Sequence, residues 1–301
     1  MEELSKLDGS SLDHGGVFMN KTIDSLDVIV LTKNSEKHLR ECLESIYTAI
    51  PVHHLIIVDA FSTDKTIEIV ENFRRKYGNV IMIQDKALRG KAREIGIRHV
   101  DTEWFSFVDS DIVLISKWFN EVRKHMGPKI GAIQTANIKT LYPSKEFSEY
   151  DNATKKLRKH FYGKEERVMM NRGCGAATLV RTELVESIQI PNWLNYGEDE
   201  YIRKYILQQN YNYLELPINV GKHLKDYRRE NWNKNIRIDG ATDRLLDRRP
   251  VKNLLVLLLK QPLKSFLVVF ASRNPKTFLF GMRWCFSIVY GWLNWKEILG
   301  R

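Results

Sequence analysis

The sequence predicts an α/β fold with a mostly parallel central sheet flanked by helices. Two observations carry this prediction. Four short, apolar, β-branched runs alternate with helical patterns between positions 27 and 108, the signature of βαβ units with right-handed crossovers. The fourth run then stops on paired carboxylates, Asp109 and Asp111, at the strand end where ligands of such sheets bind.

Residues 27–32 (DVIVLT) suit a strand buried on both faces. Asn34 and Ser35 offer an N-cap, after which Leu39, Cys42, Leu43, Ile46 and Ile50 recur at helical spacing until Pro51. Residues 55–58 form the next strand, and 62–77 a helix with Ile67, Ile69, Val70 and Phe73 inward. A strand at 80–83, a helix at 88–100 carrying Arg89, Lys91, Arg93 and Arg98, and a strand at 103–108 complete the regular half. This order sets Thr32, Asp59 and Asp109 along one edge of the sheet.

The second half is less regular. Strands are expected at 130–138, 176–180 and 213–220, and a basic helix at 145–162. Gly173 and Gly175 precede the second of these strands. Gly197, Glu198, Asp199 and Glu200 open an amphipathic helix running to Leu207, where acidic residues suit the positive end of the helix dipole. No internal repeat or low-complexity linker is evident. Residues 1–24 are polar, lack an apolar core, and are expected to form a loose arm rather than a signal peptide.

Charge divides the chain unevenly. The net charge is +10, yet residues 1–221 hold 30 basic against 31 acidic residues, while residues 222–301 hold 17 against 6. The basic tail also carries apolar runs at 254–259, 263–271 and 278–295. Lys260, Pro262 and Lys264 separate the first two, which are each too short to span a bilayer. The third is long enough but contains Arg283, which opposes insertion by roughly 2.5–3.5 kcal/mol. The reading is a tail of amphipathic helices lying on an anionic membrane surface, with a single tilted span as the alternative. Basic residues interleaved with long aliphatic runs disfavour nucleic acid as partner. Cys42, Cys174 and Cys285 are odd in number and widely spaced, which disfavours a disulfide framework and a zinc site and fits a reducing compartment.

Two carboxylates at the end of a buried strand repel unless a cation or donors lie between them. Mg²⁺ or Mn²⁺, held by carboxylates and by a substrate diphosphate, is the expected partner. Three segments make this specific: DVIVLTKNSEKHLRECLESI, IIVDAFSTDKT and ALRGKAREIGIRHVDTEWFSFVDSDI. In order and spacing they resemble the family 2 inverting glycosyltransferases of the GT-A (nucleotide-diphospho-sugar transferase) fold, over about residues 27–223.

The resemblance implies a nucleotide-sugar donor bound by Thr32, Asn34, Asp59, Arg89, Asp109 and Ser110, with Asp109, Asp111 and His223 on a divalent metal. It implies Asp199 as the base that deprotonates an acceptor hydroxyl, Glu198 as its alternative, and Gly173 and Gly175 in the acceptor pocket. The acceptor expected is a glycan or glycolipid, with the enzyme on the cytoplasmic face of a membrane as a peripheral or monotopic protein. The expected organisation is an arm at 1–24, a catalytic domain at 25–225 and a membrane-associating helical region at 226–301. Two departures touch the nucleotide pocket: Ala60-Phe61-Ser62 replaces the usual Asp-Gly-Ser turn, and Lys33 stands where an aromatic is common. A polyprenyl-phosphate sugar synthase and a non-enzymatic membrane protein on a transferase fold are the competing readings. The first needs no base, because its acceptor is already ionised.

Overall fold

The computed structural model describes residues 24–140, 145–162, 177–224, 229–246 and 249–300. Residues 1–23 of the expected arm, Gly173, Cys174 and Gly175 therefore lie outside the described residues.

The first half alternates as its periodicity requires: β1 (Leu26–Thr32), α1 (Glu36–Ala49), β2 (Val52–Asp59), α2 (Thr66–Tyr77), β3 (Val80–Gln84), α3 (Arg89–Ile97) and β4 (Trp104–Val108). Next come β5 (Ile112–Leu114), α4 (Trp118–Val122), β6 (Ile130–Thr140), α5 (Lys145–Tyr162), β7 (Ala177–Arg181), α6 (Glu198–Gln208) and β8 (Asn212–His223). The eight strands form one sheet in the order β3-β2-β1-β4-β7-β6-β8-β5. The β1–β2, β2–β3, β1–β4 and β6–β8 pairs are parallel, while β4–β7, β6–β7 and β5–β8 are antiparallel. Strands β1 and β4 are buried along nearly their whole length, and β2 from Leu55 to Asp59, because helices cover both faces. One core, with Leu39, Leu43, Ile46, Phe73 and Trp118, lies on one face; the other, with Ile97, Phe107, Ile188 and Ile206, lies opposite.

Two boundaries move for physical reasons. Helix α2 begins at Thr66 rather than 62, because Ser62 is held by the Asp59 carboxylate and Asp64 Oδ1 accepts the Thr66 N–H at 3.0 Å. Helix α3 ends at Ile97, and the chain turns so that the Asp101 and Thr102 amides reach Asp27.

The tail differs more. Helix α7 (Arg229–Leu245) lies in the part of the tail before its apolar runs, and the first two of those runs are one helix, α8 (Val251–Ser272), continuous through Pro262. It is followed by α9 (Lys276–Leu293) and α10 (Trp295–Leu299). Packing overrides the proline: Gln261, buried beside it, donates to Tyr150 Oη, Ser265 Oγ and the Gly281 carbonyl at 2.9, 3.0 and 3.2 Å. By length and composition α8, not α9, is the described helix able to cross a membrane.

Helices α7 and α9 cross at glycines. A Cβ on Gly240 would lie 2.2 Å from the Ile288 carbonyl oxygen, and one on Gly291 would lie 2.0 Å from that of Arg237. Alanine at either position should cost about 1–3 kcal/mol despite its better helix propensity. Thermal unfolding checks this; an unchanged or raised Tm would show that the backbones do not approach so closely.

Candidate functional site

At the carboxyl ends of β1 and β2 a cavity of about 760 Å³ opens, bordered by Thr32, Asn34, Ala60, Phe61, Arg89 and Ser110, among others. Asp59 braces its wall. The carboxylate is fully buried and accepts from Thr32 Oγ1 at 2.7 Å, from the Ser62 amide at 2.8 Å and from Ser62 Oγ at 2.5 Å. Ser62 Oγ in turn accepts the Asn34 N–H at 2.8 Å, and Asn34 Oδ1 accepts the Thr63 N–H at 2.9 Å. Asp59 thus shapes the pocket through the turn that it holds.

That turn is where the sequence departs from the resemblance. Phe61 adopts φ 52°, a left-handed conformation that costs a side-chain-bearing residue about 1–2 kcal/mol and costs glycine almost nothing. Its ring is 46% exposed at the cavity, with Lys86 Nζ 5.5 Å from the ring centroid. Motif comparison marks Phe61 only as an anomaly; its conformation and exposure make it a candidate binding residue.

Of the acidic triplet, Ser110 borders the cavity. Ser110 Oγ lies 3.3 Å from Ser35 Oγ, and Cys42 Sγ donates to the Asp109 carbonyl at 3.4 Å from below. Burial, reinforced by the Asp111 charge, pushes the Cys42 thiol up, so it is an inert packing group. The β5–β8 ladder pairs Ile112 with His223, and the Leu224 N–H donates to the Asp111 carbonyl at 2.8 Å. This sets His223 Nε2 3.2 Å from Asp111 Oδ2. Gly221 permits the approach, since a Cβ there would lie 2.1 Å from the Val113 carbonyl oxygen. His38 also belongs to this neighbourhood: burial and Lys37 lower its pKa, against the pull of Asp111.

Arg93 joins the triplet to the opening of α6. Its side chain is almost fully buried, with Nε 3.2 Å from Glu198 Oε1, Nη2 3.4 Å from Asp109 Oδ1, and its guanidinium 4.6 Å from the Phe107 ring centroid. Burial opposes its charge, but Glu198, Asp109 and Asp199 together raise its pKa. Arg89, preferred from the sequence, borders the cavity with an exposed side chain 3.9 Å from Glu198 Oε1. Glu198 is 3% exposed and engaged by Arg93, whereas Asp199 is half-buried and borders a small cavity with Arg93, Phe107, Thr178 and Tyr213. Thr32, Asn34, Asp59, Arg89, Asp109, Ser110, Asp111, Glu198, Asp199 and His223 therefore share one sheet edge.

The family model for glycosyl transferase family 2 matches residues 27–186. This chain belongs to that family. Curated relatives include a poly(ribitol-phosphate) beta-glucosyltransferase of Bacillus spizizenii, 30% identical over 105 residues, which are 32% of this chain and 17% of that protein. Another is the poly(ribitol-phosphate) beta-N-acetylglucosaminyltransferase TarS of Staphylococcus aureus, 36% identical over 89 residues, 28% of this chain and 16% of TarS. The matched stretch thus spans less than a fifth of either relative. Among solved structures, the mannosyltransferase PcManGT from Pyrobaculum calidifontis, in complex with GDP-Man and Mn²⁺, superposes with a TM-score of 0.56 at 16% identity, over 86% of this chain and 74% of that one. Residues 1–349 of TarS in complex with UDP-GlcNAc give a TM-score of 0.52 at 18% identity, over 91% of this chain and 92% of that one. These likenesses show that the fold is of the GT-A type.

Proposed function

We propose that this family 2 member is a metal-dependent, inverting glycosyltransferase that moves a sugar from a nucleoside-diphosphate donor to a hydroxyl acceptor. The observation that carries the reading is a nucleotide-sized cavity bordered by Ser110 at one sheet edge, with the Asp111 carboxylate and the His223 imidazole facing one another there and Asp109 held beside Arg93 on the same edge. Asp109, Asp111 and His223 supply oxygen and nitrogen donors that suit Mg²⁺ or Mn²⁺, and a divalent ion bound there would stabilise charge on a departing diphosphate. The residues themselves orient the donor: Asp59 through its turn, Thr32 and Asn34 at the cavity wall, and Ser110 beside the diphosphate end.

Asp199 is the preferred base. An acceptor hydroxyl must lose its proton to a group within hydrogen-bond reach as it attacks the anomeric carbon from the face opposite the diphosphate. Glu198 is almost fully buried with its Oε1 engaged by Arg93, whereas Asp199 is half-buried at the border of the small cavity, which favours the Asp199 carboxylate as the acceptor of that proton. Arg93 acts as a positioning residue that holds Asp109 and Glu198 in fixed relation. A screen of nucleotide sugars with Mn²⁺, read as nucleoside diphosphate release, tests the activity; no release from any donor, with and without candidate glycan acceptors, would contradict it.

Phe61 is assigned to stacking on the nucleobase. Phe61→Gly should relieve the backbone strain and leave Tm unchanged or higher, while donor affinity falls by about 10-fold, in line with about 1–3 kcal/mol per base–aromatic contact. Unchanged affinity in a calorimetric titration would remove the ring from the site.

Residues 25–225 are read as the catalytic domain and residues 226–301 as a membrane-docking region on the cytoplasmic face, with a glycolipid or other lipid-held glycan as acceptor. Helix α8 supports this: Leu255, Leu259, Leu263, Phe266 and Phe270 form an exposed stripe, with Leu259 79% exposed, while Leu254, Gln261, Ser265 and Val268 face inward. Because Tyr150 of the charged helix α5 packs on Gln261 and Phe280, α8 is read as lying along the interface rather than spanning it. Leu259→Asp with Leu263→Asp should abolish flotation with anionic vesicles and leave thermal unfolding nearly unchanged. Flotation that survives both substitutions would count against docking through this stripe.

A further inference from the structure

The amino end of the sheet, opposite the donor cavity, carries a second cluster of metal-ligating groups. The β1–β2 register shifts between Leu26 and Val28: Leu26 pairs with Val52, but Val28 pairs with Leu55. Asp27 therefore faces two residues, His53 and His54, where regular pairing would send consecutive side chains to opposite faces. The irregularity turns both imidazoles toward one carboxylate. His53 Nδ1 lies 3.0 Å and His54 Nδ1 3.4 Å from the same oxygen, Asp27 Oδ1, and the His54 N–H donates to that oxygen at 2.9 Å.

The second carboxylate oxygen is already committed, accepting the Asp101 and Thr102 amides at 2.6 and 3.0 Å. This fixes the orientation of Asp27, whose side chain is fully buried. His54 Nδ1 is buried and makes no hydrogen bond, although it faces the carboxylate. Asp101 Oδ2 stands 3.7 Å from it on an exposed, adjustable side chain. Ligands about 2.0–2.1 Å from a tetrahedral ion are separated by roughly 3.3 Å, close to the donor spacings here.

We propose that Asp27, His53 and His54 bind a Zn²⁺-class ion, with Asp101 or water in the fourth position. Two imidazole nitrogens and one carboxylate oxygen suit Zn²⁺ better than the oxygen-preferring Mg²⁺. The ion would staple β1, β2 and the turn before β4 at the end of the sheet away from the donor site, a structural role. His53, with 42% of its side chain exposed, provides the entry path.

The test uses the full chain, stripped with chelator and titrated with Co²⁺ alone, then with Zn²⁺. One equivalent of Co²⁺ should give the intense visible bands of a tetrahedral ion, and Zn²⁺ should displace them. Zn²⁺ at about a hundredfold over Kd should raise Tm by about 5 °C. His54→Gln and His53→Asn should each lose both the bands and the Tm shift, while Asp111→Ala, at the other end of the sheet, keeps them. Tetrahedral bands that persist in His54→Gln, or their absence from the unsubstituted chain, would overturn the proposal.

Discussion

Asp199→Asn is expected to lower turnover by roughly 10²–10⁴-fold, the range that a general base supplies, while donor affinity changes by less than about twofold. Asparagine keeps the size of the side chain and cannot accept the acceptor's proton. The fold should tolerate the change, because Asp199 is half-buried and an asparagine oxygen can still accept the Glu200 amide that Asp199 Oδ1 accepts at 2.8 Å. The result separates two chemistries. A hydroxyl acceptor needs the base, so steady-state rates should collapse with KM for the donor preserved. A phosphate acceptor arrives ionised, and Asp199→Asn would then turn over nearly as fast as the unsubstituted chain. Glu198→Gln should behave differently: it removes the charge opposite Arg93 in a nearly dry setting and should lower stability as well as activity.

Asp111→Ala is expected to abolish metal-dependent donor binding, an effect larger than the about 10–100-fold that outer-sphere partners of a metal cost. Asp111 Oδ2 is 3.2 Å from His223 Nε2, and β5 is only three residues long, so the carboxylate and the imidazole are held together by one short ladder. Removing the carboxylate leaves Asp109, already in contact with Arg93, and His223 as the protein's remaining donors to the ion. Calorimetric titration of nucleoside diphosphates with and without Mn²⁺ reads the effect. Affinity that is equal in both proteins, or equal with and without the ion, would contradict the assignment of Asp111.

The regular half of the fold was legible because its strands are buried on both faces and its helices are amphipathic, so burial alone writes the pattern at 27–108. The tail was less so. Helix α7 meets α9 through the glycines Gly240 and Gly291 as well as through Ile236, Ile288 and Trp292, and its sparse apolar residues among many polar ones leave little hydrophobic periodicity to read. Pro262 reads as a break, yet tertiary contacts around Gln261 carry the helix through it. At the site, strand order was enough to set Asp109 and Asp111 at one sheet edge, and the β5–β8 ladder brings Asp111 and His223 together there. Arg93 could not be separated from Arg89 in this way. The two lie one helical turn apart, and only the arrival of Glu198, more than a hundred residues later, decides which is buried. The Asp27–His53–His54 cluster depends on a register shift, which no local pattern encodes.

The most direct test of the donor-site assignment is a crystal structure of the full chain with a nucleoside diphosphate and Mn²⁺, with data collected for the anomalous signal of manganese. The account predicts a manganese peak among Asp109, Asp111 and His223, the diphosphate beside Ser110, and the base against Phe61. A nucleotide bound away from this cavity, or manganese found only at other positions, would contradict it.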